Sequence, residues 1–191
     1  MRHPDLVVGV PLYSDSATSH DYIVQARGAF DETITGLHHL ARWSIPIEIR
    51  IVLHKLTTPR LLNWAEFVYR NVPFAAHISL MGMEPTGHAR YHHDKVWLDP
   101  VEYQGVLADA VEFLDVRGMT VSIYNLPYCV LPRSLWPYAR QSISDWKNIF
   151  LPACADCAHR TGCAGFFASV GQEHTASVRA FSHAAAALRS A

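Results

Sequence analysis

Four short apolar runs rich in β-branched residues punctuate the chain: "LVVGVPLY" (Leu6 to Tyr13), "IPIEIRIVL" (Ile45 to Leu53), "FAAHISLMGM" (Phe74 to Met83) and "MTVSIYNL" (Met119 to Leu126). Each has the length of a strand. Helical spacing fills the intervals. Phe30, Ile34, Leu37 and Leu40 or Ala41 share one face of a 3.6-residue repeat. A second helix opens with Thr58 as cap and Pro59 at its first position and runs to about Arg70. A third opens at Asp99-Pro100 and stops at Arg117-Gly118. The rhythm βαβαβαβ predicts an α/β fold with a parallel sheet and right-handed crossovers, either a small doubly wound sheet or part of a β/α barrel. With four strands, the first almost at Met1, a six- or eight-strand barrel would lack its front half.

After Leu126 the pattern turns to "PYCVLPRSLWPYARQSISDWKN", rich in proline and aromatics, and a boundary is expected near Pro132. That gives a β/α portion over 1–131 and a small extension over 132–191, closed by a helix in the alanine-rich stretch Glu173 to Ala191. Half of the residues are hydrophobic (50%) and 17% are charged, enough apolar content for one filled core. A net charge of -1 gives no electrostatic footprint for nucleic acid or an anionic membrane. No run approaches a membrane span, so the expectation is a cytoplasmic protein without nucleic-acid or membrane partners.

The chain has four cysteines, Cys129, Cys154, Cys157 and Cys163, spaced C-x24-C-x2-C-x5-C. In a reducing compartment such clustering points to metal binding or redox chemistry. Four thiolates complete one [4Fe-4S] cluster or one tetrahedral zinc, and the spacing leaves both open. Gly162 and Gly165 flank the last cysteine, where a crowded loop needs unusual backbone angles. His159 is a possible alternative ligand, read here as a solvated loop residue. Carboxyl ends of parallel strands gather active sites. That rule picks out Tyr13, Ser14 and Asp15, then Glu84, Thr86 and Gly87 in "GMEPTG", then Asn125, Pro127 and Cys129. Arg50, set among apolar residues of the second strand, needs a partner: a salt bridge with Glu48 or Glu84, or a bound anion. "HHL" and "YHHD" read as helix surface and loop. There is no glycine-rich phosphate loop, nucleophile elbow or H-E-x-x-H.

Taken in order, "VVGVPLYSDSATSHDYIVQARGAF", "DETITGLHHL", "IPIEIRIVLHKLT", "NVPFAAHISLMGMEPTGHA", "YNLPYCVLP" and "SISDWKN...CADCAHRTGCAGFFAS" resemble the C-terminal part of radical SAM peptide maturases, in particular the HxsC type of the His-Xaa-Ser system. The likeness runs from about Leu6 to Ser169, and the C-x2-C-x5-C run resembles a SPASM-type tail. The resemblance implies half of a radical SAM partial barrel, with Cys129, Cys154, Cys157 and Cys163 on an auxiliary [4Fe-4S] cluster. It also implies S-adenosylmethionine contacts from Tyr13, Ser14, Arg50, Glu84, Thr86 and Gly87, and a peptide substrate. Pro11 stands where similar enzymes place a serine, so Tyr13 or Ser14 would have to substitute. The C-x3-C-x2-C motif that would reduce S-adenosylmethionine is absent. The expectation is a truncated or split maturase, inactive until a partner maturase or the missing N-terminal half joins it; the alternative is a non-catalytic iron-sulfur or zinc-stabilised peptide-binding domain.

Overall fold

The computed structural model describes residues 6–142, 149–171 and 174–182. The protein is α/β. β1 (Val8–Pro11), β2 (Ile47–Leu53), β3 (His77–Gly82), β4 (Val121–Tyr124) and β5 (Ala139–Arg140) form one all-parallel sheet in that sequential order. β1 lies on β2 in the register Val8 to Ile47 through Pro11 to Arg50. The four expected runs each shorten to their pleated centres. β5, only two residues long, sits in the proline-rich stretch where periodicity cannot show.

Sequential strand order with right-handed crossovers places the connecting helices on the same face. These are α2 (Ala29–Arg42), α3 (Leu61–Asn71) and α6 (Gln104–Asp115). β2 shows why: Ile47, Ile49, Ile51 and Leu53 are buried, while Glu48 and Arg50 alternate onto the other face. Leu37 of α2, Leu61, Trp64 and Val68 of α3, and Leu107, Val111 and Leu114 of α6 are fully or almost fully buried. Trp64 also donates its indole N–H to the Leu12 carbonyl at 2.9 Å, fixing the end of β1 to α3.

Helix ends follow local chemistry. Asp99 accepts from the Val101 N–H and Glu102 reaches back to the Asp99 N–H, a reciprocal cap before α6. Beyond α6, Gly118 turns the chain at φ 76°. Thr58 is not a cap: a single 3₁₀ turn, Thr58–Arg60, precedes α3, and Thr57 is the residue whose hydroxyl is spent on the Val52 carbonyl. α1 (Ala17–Val24), α4 (His88–Tyr91) and α5 (His93–Val96) were not foreseen, being short and only weakly periodic. The "HD...GAF" segment has a structural task. His20 accepts the Tyr13 N–H, and the Asp21 carboxylate accepts the Gly28 and Phe30 N–H groups at the start of α2.

The chain groups into two compact units, 1–81 with 105–122, and 82–104 with 123–191. The second therefore reaches back across Pro132 to the end of β4 and takes in the connection from β3 to α6. The helix expected over Glu173 to Ala191 falls partly outside the described residues; within 174–182 there is no α-helix. Among the described residues no helix is long and apolar enough to cross a membrane.

Two glycines give opposite predictions. A Cβ on Gly82 would sit 2.6 Å from the Asn125 carbonyl oxygen, so Gly82→Ala should destabilise by about 1–3 kcal/mol in urea unfolding. Gly36, inside α2 with open space around it, should gain up to about 1 kcal/mol as alanine. Burial also holds the His54 imidazole down from 6.5 to about 4. The folded state then binds fewer protons than the unfolded one across that window, so stability present above pH 6.5 is lost as pH falls. Wild type should lose about 3 kcal/mol more than His54→Asn over that range in pH-resolved unfolding.

Candidate metal centre

The cysteine loop is built from turns of one period. Cys154 N–H donates to the Leu151 carbonyl, Cys157 to Cys154, Arg160 to Cys157 and Cys163 to Arg160, at 2.8 to 3.2 Å. Each bond spans three residues, in two short 3₁₀ turns, Pro152–Cys154 and Arg160–Gly162, with turns between them. Cys154, Cys157, Arg160 and Cys163 all line one pocket. An antiparallel bridge of Ile149 with Phe166 closes the loop through two backbone bonds. Gly165 provides the exit turn at φ 66°, whereas Gly162 is needed for space: a Cβ there would lie 3.3 Å from the Tyr128 hydroxyl.

Cys129 arrives from a separate element. After β4, Asn125 takes a left-handed conformation at φ 63° and a 3₁₀ turn, Tyr128–Val130, presents Cys129. Gln104 holds that turn through the Val130 carbonyl at 2.7 Å, and Gln141 bonds the carbonyls of Thr161 and Cys163 at 2.9 and 3.0 Å. Tyr128 stacks on Trp136 with centroids 4.6 Å apart. The result is a pocket, partly open to solvent, lined by all four cysteines together with Phe150, Phe166 and Phe181. None of the four is in a disulfide.

The electrostatics of the thiols follow from this packing. Burial pushes the Cys129 thiol up; the Arg179 backbone N–H opposes that shift, and Cys163 and Cys154 add to it. Burial likewise raises Cys163, against N–H groups of Gly165 and Tyr128, with Cys154 and Cys157 adding to the rise. Backbone donors aimed at sulfur favour thiolate, while neighbouring thiolates repel. A cation among them reverses that repulsion. His159, read from the sequence as a solvated loop residue, instead lines the pocket, and its Nε2 is buried without a hydrogen-bond partner among the described residues. Its position two residues past the C-x2-C pair was the available signal. Among the described residues, no group of three or more His, Cys, Asp or Glu side chains is arranged to hold a single metal ion.

The other sequence candidates lie elsewhere. Tyr13 is half-buried beside His20, and the buried Ser14 hydroxyl accepts from the Ser16 N–H and bonds Asp15, itself ion-paired with Arg60. Arg50 does not sit among inward apolar side chains. Strand alternation carries it to the polar face, half-exposed, with its Nε on Glu48 at 2.5 Å. There Glu48 also meets His77 Nδ1 at 3.2 Å, and His77 Nε2 meets the Ser122 hydroxyl at 2.9 Å. This chain across β2, β3 and β4 went unread because single polar residues within apolar runs look incidental. In the loop after β3, Glu84 is half-buried, Thr86 and Gly87 are exposed, and Gly87 starts α4 at φ 54°. None of these six residues lines the cysteine pocket.

In metal-free protein, Cys154 and Cys157 should alkylate at least about fivefold faster than Cys129 and Cys163 near neutral pH, as followed by mass spectrometry; Cys129 reacting first would contradict the burial described. No family model matches the chain, and neither does a curated protein or a solved structure.

Proposed function

We propose that this chain is a portion of a radical SAM iron-sulfur enzyme that modifies a peptide, similar to the HxsC-type maturases, and that Cys129, Cys154, Cys157 and Cys163 hold its auxiliary [4Fe-4S] cluster. The observation that carries the reading is the convergence of all four thiols on one pocket, with backbone N–H groups directed at two of the sulfurs. Such N–H donors tune cluster potentials. The partnerless His159 Nε2 offers a further polar contact to whatever fills the pocket. A tetrahedral zinc draws its sulfurs to about 3.8 Å of one another. What favours the iron-sulfur cluster over zinc is the likeness of the C-x2-C-x5-C run to a SPASM-type tail.

When bound, the cluster supplies one-electron chemistry beside the substrate. The residues of this chain shield it with three phenylalanines and fix its cysteines through the turn spiral and Gln141. In the same reading Tyr13, Ser14, Arg50, Glu84, Thr86 and Gly87 contact S-adenosylmethionine, with a partner chain or N-terminal half supplying the three cysteines of the reducing cluster. All four cysteines of this sequence are committed to the auxiliary centre, so the chain alone does not cleave S-adenosylmethionine.

Anaerobic reconstitution with iron and sulfide should load about four of each per chain and give a brown protein, and Cys129→Ala should prevent it. Zinc at one equivalent with no iron uptake, or full iron loading in Cys129→Ala, would overturn the assignment. Release of 5'-deoxyadenosine from S-adenosylmethionine by this polypeptide alone would overturn the split-enzyme reading.

A further inference from the structure

The segment from His174 to Phe181 is a strap without α-helix or strand, and its side chains fill a series of fitted positions. The His174 ring meets His93 Nε2 to Nε2 at 3.1 Å and stands edge-on to Trp97 at 4.4 Å. Three residues on, the Ser177 hydroxyl donates to the Asp99 carboxylate at 2.7 Å. Four further on, Phe181 packs edge-on to Trp136 at 5.3 Å and His159 at 5.4 Å, with the Arg133 guanidinium 5.9 Å above its ring. Between them, Arg179 lines the same pocket as Cys129. Two of the fitted side chains are aromatic and one is a hydroxyl, on a backbone whose described internal bonds are local turns. A backbone bond ties it to the rest at its end, where the Ala158 N–H donates to the Phe181 carbonyl at 2.9 Å. A strap held mainly by side-chain pockets, rather than by a sheet or helix packing, is bound as a peptide is bound.

We propose that the strap occupies, in cis, a groove that takes a peptide in trans, one carrying a hydroxyl residue four positions before an aromatic residue. A peptide seated this way places the residue two before its aromatic at the cysteine pocket. The inference extends the peptide-modifying reading to where and how that peptide lies, while the groove itself is formed by protein side chains. Competition is the expected signature: a groove filled by its own tail presents only its open fraction to a second ligand, and loosening the tail raises apparent affinity.

The test uses full-length metal-free chain and a fluorescently labelled peptide of the sequence HTASVRAFS, matching His174 to Ser182. Anisotropy should show the peptide binding the His174→Ala, Ser177→Ala, Phe181→Ala chain at least about tenfold more tightly than wild type. Replacing the peptide's phenylalanine by alanine, or Arg133→Ala in the loosened chain, should weaken that binding several-fold. Equal affinity for wild type and the loosened chain, no binding to the loosened chain, or indifference to the peptide's phenylalanine would each overturn the groove. Circular dichroism on each variant establishes that it is folded. Because no metal is present, failure here leaves the cluster assignment standing, and failed iron loading leaves the groove standing.

Discussion

The repeated three-residue turn from Leu151 to Cys163 is the constraint on which the candidate centre depends. A C-x2-C step followed by C-x5-C is one spacing and its double, and successive three-residue turns bring Cys154, Cys157 and Cys163 to one pocket without a sheet or a long helix. Short 3₁₀ pieces are weak by themselves. The loop is held instead by the bridge of Ile149 with Phe166 and by Gln141, which takes two loop carbonyls that would otherwise need water.

Cys129 joins the centre because β4 ends in a left-handed Asn125 followed by a turn. That is where parallel α/β folds place functional groups. The extension and the end of the sheet thus share one structural unit. Four thiols at the walls of a partly apolar pocket are costly as free thiolates, given burial and mutual repulsion. A positively charged group bound among them would relieve that cost.

Much of the architecture was legible because its signals are periodic. The 3.6-residue face of α2 depends on side-chain direction alone and survives in the structure, with Leu37 buried, whereas the alternation within "IEIRIVL" was passed over. The Asp99-Pro100 start was legible since capping chemistry is local. Thr58 misled for the same reason: its neighbour Thr57 offers an equal hydroxyl, and only tertiary contact decides between them. β5 carried no signal at two residues. At the candidate site, the four cysteines were identifiable by type and spacing, but not His159, whose role depends on which side of a turn it faces. Arg50 was named correctly as needing a partner. Its surroundings were misjudged, because a flanking run of isoleucines looks alike whether one face or both are buried.

A short bifunctional thiol crosslinker, applied to the unfolded and the folded metal-free protein and mapped by mass spectrometry, tests the convergence of sulfurs most directly. The account predicts that, in the folded protein, Cys129 is joined to Cys154, Cys157 or Cys163 despite the 24 intervening residues before the first of them. Links confined to the three cysteines of the loop, with Cys129 left unlinked, would contradict it.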